Sequence, residues 1–178
     1  MPSTGDDVTA RARLAVVAAT AVAATGVLTW WTSQEPQSAT TESQDAVVER
    51  VVDGDTLLLA DGERVRVLGI DAPEAARDGR PAECGADEAT AAARRLVEGR
   101  PVRLRSDPGQ ADRDDFDRLL RYVETPDGTD LGLNLVTEGH ARVFAPRGDV
   151  ARQSSLERAE AQARDRGVGT WTCSPPGA

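Results

Sequence analysis

The sequence has few of the side chains that build zinc sites. It contains two cysteines, Cys84 and Cys173, and a single histidine, His140, and it has no CxxC motif. A structural zinc ion is held by four cysteine or histidine side chains, so a zinc-binding fold is not expected. A single histidine without a partner motif is also a poor candidate for a catalytic base, and we expect His140 to be a surface or core residue.

Aromatic side chains and excess positive charge are also scarce. Aromatic residues make up 3% of the chain, and 21 lysines and arginines face 30 aspartates and glutamates, for a net charge of −9. The core must therefore consist mainly of valine, leucine, isoleucine and alanine. A protein that coats nucleic acid through a basic face is not expected, because a negative surface repels the phosphate backbone. An enzyme that acts through a metal and a few arginines at one site is compatible with this charge.

Charge is absent from residues 14–31, which follow Arg11 and Arg13 and end in Trp30-Trp31. About 20 apolar residues span a bilayer as a helix, and tryptophans favour the membrane interface. The run predicts either an uncleaved signal-anchor, with residues 1–13 in the cytoplasm, or a signal peptide cleaved near residues 21–23. Both alternatives place the remaining chain outside the cytoplasm, either membrane-anchored or secreted. Residues 32–45 have the polar composition of a solvated linker.

Two cysteines in an exported chain predict a disulfide bond between Cys84 and Cys173. The alternative is two unrelated buried thiols.

Local patterns in residues 46–174 predict an α+β fold that is mainly β, followed by a short tail at 175–178. Three strands are expected at 46–52, 56–60 and 64–70, with Asp61-Gly62 as a hairpin turn between the last two. Further strands are expected at 101–105 and 119–124, and helices at 87–98, 131–138 and 150–166. Five strands with about three helices fit a small Greek-key barrel, preceded by the apolar helix at 14–31.

Carboxylates and an arginine cluster around the second and third predicted strands. Asp55 begins the second strand, Arg66 lies in the third, and Asp71 and Glu74 follow it. Hydrolysis of a phosphodiester requires an activated water and neutralisation of the transition-state charge, which a carboxylate-bound metal, a carboxylate base and arginines supply. The alternative is that these residues only form turns and a solvated strand. The odd spacing of Arg66 and Asp71 places them on opposite faces of a regular strand. If Arg66, Asp71 and Glu74 serve one site, the turn at Pro73 would therefore have to re-aim Asp71 and Glu74.

A longer pattern resembles the thermonuclease family, the staphylococcal-type nucleases. The resemblance begins with Val51-Val52-Asp53-Gly54-Asp55-Thr56 and the segment from Val65 to Glu74. It continues in order through residues 84–89, 114–123, 133–143 and 157–171, so that it covers nearly all of 46–173. Separate matches in the same order are much more specific than any one of them.

This resemblance implies a five-stranded OB-fold and a calcium site. Asp55 and Asp71 would bind Ca²⁺ through their carboxylates and Ala72 through its backbone carbonyl, and Glu74 would be the general base or would position the attacking water. Arg66 would hold the scissile phosphate. The family's second arginine motif falls on Arg118, which would also bind the phosphate, and Phe116 would stack on a base. The implied activity is cleavage of DNA and RNA to 3′-phosphate products, by a protein that we expect to be a monomer.

The sequence departs from the family pattern next to Arg118. Asp115 and Asp117 occupy positions where the family often has a basic residue and a glycine, and they would repel phosphate or pair with Arg118. Phe144-Ala145-Pro146 follows Val143 and contains no tyrosine. These departures favour an alternative, a non-catalytic OB-fold module that binds nucleic acid at the membrane surface. A structural protein of the cell envelope is a weaker alternative.

Overall fold

Five strands close into a barrel in the computed structural model, which describes residues 42–173. The strands are β1 (Ser43–Val51), β2 (Thr56–Leu59), β3 (Arg64–Val67), β4 (Ile70–Asp71), β5 (Pro101–Arg105), β6 (Leu119–Glu124) and β7 (Arg142–Val143). Strands β1 to β3 are antiparallel neighbours, and β6 and β5 complete the barrel in the order β1-β2-β3-β6-β5. Two shorter strands, β4 and β7, form a separate antiparallel pair.

Three helices accompany the barrel in the described residues: α1 (Ala86–Val97), α2 (Leu131–Thr137) and α3 (Gln153–Arg166), with a 3₁₀ turn at Gly169–Thr172. The closed five-stranded barrel and the three helices confirm the predicted OB-fold class. No helix within 42–173 has the length and apolar character needed to cross a bilayer. The predicted apolar helix at 14–31 and the tail at 175–178 lie outside the described residues.

The barrel is closed by a parallel pairing between β3 and β6. Val65 lies opposite Leu119 and Arg66 opposite Leu120. In a pair of parallel strands, the N-terminal ends of both strands lie at the same end of the sheet. This pairing therefore sets Arg118, just before β6, beside the β2–β3 hairpin that carries Arg66.

The predicted third strand is interrupted, which corrects the expectation of one strand over 64–70. β3 ends at Val67 and β4 begins at Ile70, with Gly69 at a φ of +79° between them. A Cβ at Gly69 would lie 2.7 Å from Leu156 Cδ1 and 3.0 Å from Val150 Cγ2. Glycine is needed here because of the positive φ and because a side chain has no space. The chain therefore turns at Gly69, before it reaches Pro73.

The barrel interior is aliphatic, as the scarcity of aromatic residues requires. Leu57, Val65, Leu104 and Val123 are fully buried at its centre. Helix α1 packs on the barrel through alanines and Val97, and small side chains let its backbone approach closely. The core thus supports both β2 and β3, from which the candidate site projects.

The first strand begins earlier than the predicted start of the domain. β1 starts at Ser43, and its residues 43–45 pair with β5, with Ser43 opposite Arg105. The segment assigned to the end of the polar linker is therefore part of the barrel.

The expected disulfide is present between Cys84 and Cys173, with a Cα–Cα distance of 6.1 Å, so the alternative of two separate thiols is wrong. Closing a loop of this length stabilises the fold by about 4–5 kcal/mol in the chain-entropy model.

Candidate active site

Asp55 lies at the centre of the candidate site and is almost completely buried. Its Oδ2 accepts a hydrogen bond of 2.7 Å from the backbone N–H of Ala72 and lies 3.1 Å from Arg66 Nη1. Its Oδ1 accepts a hydrogen bond of 3.1 Å from the Thr56 hydroxyl. The preceding Gly54 permits this burial, because a Cβ there would lie 2.6 Å from Ala72 Cβ.

Arg66 joins the two predicted metal-binding carboxylates. Its Nη2 donates a hydrogen bond of 2.7 Å to Asp71 Oδ1, while its Nη1 faces Asp55. Nη1 also donates to the carbonyls of Ile70, at 2.7 Å, and Val67, at 3.1 Å. Arg66 and Asp71 meet because the chain turns between β3 and β4, so the expectation that Pro73 re-aims Asp71 is wrong.

Arg118 reaches the same group of residues from the other arginine motif. Its Nε and Nη2 both lie 2.7 Å from Asp114 Oδ2. This leaves Nη1 directed toward Thr56, with a distance of 3.4 Å to the hydroxyl oxygen. Since that hydroxyl donates to Asp55, a chain of polar contacts connects Arg118 to Arg66 through Thr56 and Asp55.

Asp114 has a lowered pKa in this setting. Burial would raise the pKa of its carboxyl, but hydrogen bonds from the Arg118 backbone and side chain and from the Phe116 N–H lower it below the ordinary value.

Asp115 and Asp117, which were expected to compete for Arg118, pair with other arginines. Asp115 Oδ2 lies 2.6 Å from Arg147 Nη2, and Asp117 Oδ1 lies 3.6 Å from Arg113 Nη1.

Negative charge at Asp55 is only partly neutralised. Burial raises its pKa to about 7, although the Arg66 guanidinium and the Ala72 N–H act in the opposite direction. The nearby charges of Asp53 and Asp71 raise the pKa further. A buried carboxyl whose pKa is raised in this way is a frequent property of functional sites.

The donor atoms around Asp55 are suited to a hard cation. Asp53 and Asp55 are both buried, Asp71 is exposed, and all three offer carboxylate oxygens, the ligand type that Ca²⁺ prefers. Arg77 Nη2 approaches Asp53 Oδ2 at 3.5 Å, which adds a further partial counter-charge. Within residues 42–173, no three histidine, cysteine or acidic side chains are grouped closely enough to hold a metal on their own. A cation here would therefore also need backbone carbonyl or water oxygens, which Ca²⁺ accepts.

Glu74 lies apart from this chain of contacts. It is exposed in the loop that follows β4, and its carboxylate has no hydrogen bond or ion pair among the described residues. Its backbone is held instead. The Glu74 N–H donates to Glu83 Oε2 at 3.2 Å, and the Glu74 carbonyl accepts from the Glu83 N–H at 2.9 Å.

A cavity of about 320 Å³ opens beside Arg66 and Arg118. Its base is aliphatic, and two exposed phenylalanines, Phe116 and Phe144, stand at its rim. Phe116 is 77% exposed, and its ring centroid lies 5.4 Å from Arg118 Cζ. An apolar cavity with aromatic walls next to two guanidinium groups has space for a flat ring attached to a phosphate.

Several residues of this region were missed by sequence reasoning. Thr56, Phe144 and Glu83 were not predicted as site residues, because their roles appear only in the contacts of the folded chain. His140 is half-buried, and burial lowers its pKa. Within the described residues it makes no hydrogen bond or ion pair to any group of the site.

Comparisons with known proteins identify the family. The sequence model for the family described as "Staphylococcal nuclease homologue" matches residues 64–173. The chain is 31% identical over 138 residues to a thermonuclease of Staphylococcus intermedius, covering 75% of this chain and 80% of that protein. It is 32% identical over 129 residues to a thermonuclease of Staphylococcus hyicus, covering 70% and 74%. It is also 29% identical over 135 residues to the SPbeta prophage-derived endonuclease YokF of Bacillus subtilis, covering 74% and 45%.

Proposed function

The chain belongs to the staphylococcal nuclease family, and on that premise we propose that it is an exported, calcium-dependent nuclease that hydrolyses DNA and RNA to 3′-phosphate products. The observation that carries the proposal is the continuous set of contacts from Arg118 through Thr56 and Asp55 to Arg66 and Asp71. Two arginines and two carboxylates from separate motifs meet at one point, next to a cavity with aromatic walls.

The two arginines are proposed to bind the scissile phosphate. Asp114 occupies Nε and Nη2 of Arg118 and so fixes the guanidinium with Nη1 directed toward the Thr56 hydroxyl. The contact of Nη1 with Thr56 is long, so Nη1 is available for a phosphate oxygen. Arg66 is held in a similar way, by the carbonyls of β3 and β4. Fixed guanidinium groups stabilise the charge that develops on the phosphate without first having to reorganise.

Glu74 is the proposed acceptor of the proton of the attacking water, or the group that positions this water. Its carboxylate is exposed and is not neutralised by an arginine of the described residues, so it is free to accept a hydrogen bond. Asp55, Asp71 and the Ala72 carbonyl are the proposed calcium ligands, and bound Ca²⁺ would supply charge neutralisation and a lower pKa for water. Attack on phosphorus with departure of the 5′ oxygen leaves the phosphate on the 3′ side.

The groups that the site offers to a substrate support the proposed activity on both DNA and RNA. The arginines recognise phosphate, which is common to both polymers, and stacking on Phe116 is available to any base. Neither contact requires or rejects a 2′-hydroxyl. A preference for unpaired strands is expected, because a paired and stacked base cannot enter the cavity.

The central test is cleavage by the purified full-length chain in mild detergent. DNA and RNA oligonucleotides are incubated with Ca²⁺ or with a chelator, and the ends of the products are identified by mass. We expect cleavage that depends on Ca²⁺ and 3′-phosphate ends; equal rates under the two conditions would defeat the metal-dependent mechanism. Glu74→Gln and Arg66→Ala should each lower the rate by roughly two orders of magnitude or more. Glu88→Gln and Arg158→Ala, exposed positions on α1 and α3, serve as matched controls.

The same experiment, with binding measured beside cleavage, separates the three function classes. Salt-sensitive binding of oligonucleotides without cleavage would identify a non-catalytic binding module, and the absence of both would point to a structural role. Export is tested independently by the mass of the mature N-terminus. A mass that begins after residues 21–23 indicates a cleaved signal peptide, and an intact N-terminus in the membrane fraction indicates an anchor at 14–31.

A further inference from the structure

The loop that carries Glu74 is closed at its neck by two hydrogen bonds between Glu74 and Glu83. Each residue contributes one backbone N–H: that of Glu74 donates to the Glu83 carboxylate at 3.2 Å, and that of Glu83 donates to the Glu74 carbonyl at 2.9 Å. Glu83 therefore contacts the main chain of Glu74 directly, while the Glu74 carboxylate stays free. This is the arrangement expected for a group that fixes the position of another side chain without reacting itself.

The rest of the loop is held by few contacts. Arg77 Nη2 approaches Asp53 Oδ2 at 3.5 Å, but the Arg77 side chain is half exposed. Residues 76–83 are exposed, and the tip turns at Asp78 and Gly79, with φ values of +52° and +79°. The tip is closed by backbone hydrogen bonds between Arg77 and Arg80, at 3.2 and 2.9 Å. A loop with so few packed side chains has low local stability, so its shape depends on the hydrogen bonds at its neck.

The residue after Glu83 is fastened to the other end of the domain. Cys84 is bonded to Cys173, and the neighbouring Gly85 packs against the 3₁₀ turn, where a Cβ would lie 3.0 Å from Thr170 Cγ2 and 3.7 Å from Pro73 Cγ. The turn itself is anchored, because the Thr170 N–H donates to the Gly139 carbonyl at 2.8 Å. The disulfide thus attaches the neck of the loop to a fixed part of the fold.

We propose that Glu83 is a positioning residue for Glu74, and that the Cys84–Cys173 disulfide holds Glu83 where it can act. This inference rests on the proposed role of Glu74 in hydrolysis. It assigns the disulfide a function in turnover besides its contribution to stability. Loss of the Glu83 hydrogen bond or of the disulfide leaves the position of Glu74 relative to Arg66 and Arg118 less well defined. A displacement of about 1 Å can lower the rate on the order of 100-fold.

The first test compares Glu83→Ala with Glu83→Gln in the full-length chain. Both variants remove the negative charge, but the glutamine carbonyl still accepts a hydrogen bond from the Glu74 N–H. We expect Glu83→Ala to lower kcat about 10- to 100-fold with KM within about twofold, because the phosphate is bound by the arginines, and Glu83→Gln to keep kcat within about threefold. A Glu83→Ala variant with normal kcat, or a change in KM alone, would overturn the proposal. Glu88→Ala is the matched control.

The second test needs no activity. Amide hydrogen exchange at Glu74 reports the bond to Glu83, and exchange at Val67, whose N–H donates to the Asp55 carbonyl at 2.9 Å, reports the barrel. In Glu83→Ala and in the double variant Cys84→Ser/Cys173→Ser, exchange at Glu74 should accelerate about tenfold while Val67 stays protected. The double variant is measured at a temperature where its circular dichroism is native, because it also loses global stability.

The outcomes of the two tests separate this inference from the proposed function. If the wild-type chain does not cleave nucleic acid with Ca²⁺, the proposed function fails, and hydrogen exchange still decides whether Glu83 and the disulfide order Glu74. If the chain cleaves but exchange at Glu74 is the same in all variants, the positioning role is wrong and the nuclease assignment stands.

Discussion

The Asp114 carboxylate binds both the main chain and the side chain of Arg118. Asp114 Oδ2 lies 2.7 Å from Nε and Nη2, and Asp114 Oδ1 accepts a hydrogen bond of 3.0 Å from the Arg118 N–H. The same oxygen accepts from the Phe116 N–H at 2.9 Å. One carboxylate therefore shapes the turn before β6 and leaves Nη1 as the guanidinium nitrogen that is directed at the Thr56 hydroxyl, 3.4 Å away. The acidic neighbour of Arg118 orients this arginine and leaves Nη1 available to substrate.

Replacing Asp114 should therefore weaken catalysis. In Asp114→Asn the amide cannot accept the two guanidinium hydrogen bonds without a clash of donors, so Arg118 loses its fixed direction. We expect kcat/KM to fall about tenfold, equivalent to about 1.4 kcal/mol of transition-state stabilisation. Steady-state cleavage of an oligonucleotide measures this. Asp112 lies in the same loop as Asp114 and pairs with Arg121 of β6, so Asp112→Asn breaks this ion pair and should leave kcat/KM unchanged. An equal loss in both variants would show that only loop stability matters.

The charges of Asp115 and Asp117 should reduce substrate affinity from a distance. Both carboxylates are strongly exposed, and neither contacts Arg118, so they act on the incoming phosphates mainly through their fields. Asp115→Asn and Asp117→Asn should each lower KM about two- to fivefold at low salt with kcat unchanged. The difference from wild type should shrink as salt screens the charges. Asp165→Asn on α3 is the control for net charge, and the same gain in that variant would contradict a local effect.

Phe116 should contribute to binding and not to stability. Its side chain is largely exposed, so Phe116→Ala removes little buried area. Loss of base stacking should weaken oligonucleotide binding by about 1–3 kcal/mol, while Phe116→Tyr keeps the ring and should bind normally. Fluorescence anisotropy with a labelled oligonucleotide measures the binding, and thermal unfolding checks the stability. Normal binding by Phe116→Ala would mean that the cavity does not hold a base in this way.

Calcium binding should depend on pH through Asp55. Burial raises the pKa of this carboxyl from 3.8 to about 7, so without a cation it favours the protonated folded form. The stability that it contributes is present at low pH and is lost as pH rises through about 7. Calcium requires the ionised form, so its affinity should fall as pH drops below about 7 and binding should release protons.

Calorimetric titration with Ca²⁺ in buffers of different ionisation enthalpy, at about pH 6 and about pH 8, measures the protons released. Asp55→Asn should abolish both the proton release and the binding, while keeping an acceptor for the Ala72 N–H. Equal affinity at the two pH values would contradict Asp55 as a ligand.

Acid should destabilise the fold through Asp107. Burial alone would raise the pKa of this carboxyl, but hydrogen bonds from the Tyr122 hydroxyl and from the Ala151 and Gly109 N–H groups, together with the charge of Arg152, lower it. A lowered pKa contributes stability that is present at neutral pH and is lost as pH falls through the depressed value. Urea unfolding at about pH 7 and about pH 3 should show a smaller loss in Asp107→Asn than in wild type. Asp165→Asn should unfold like wild type, and parallel losses in all three proteins would remove Asp107 as the cause.

The elements whose boundaries depend on local chemistry were predictable from the sequence. The turn at Asp61-Gly62, the glycine after α1 and the alternation of β-branched residues each act within a few residues, and they located five barrel strands and three helices. The ordered motifs also identified the family. The scarcity of aromatic residues correctly implied an aliphatic core, and the expectation of export favoured the pairing of the two cysteines.

The geometry of the site was decided by contacts between distant segments. The parallel pairing of β3 with β6 brings Arg118 to Arg66, and Gly69 divides the third strand because Leu156 and Val150 leave no space for a side chain. The partner of Arg118 was chosen among three nearby aspartates by the fold of the loop, and Glu83 meets Glu74 only when the intervening loop closes. Local sequence determines which elements form, because their hydrogen bonds and turns are short-range. Only the tertiary structure determines which carboxylate faces which arginine, because that depends on how those elements pack.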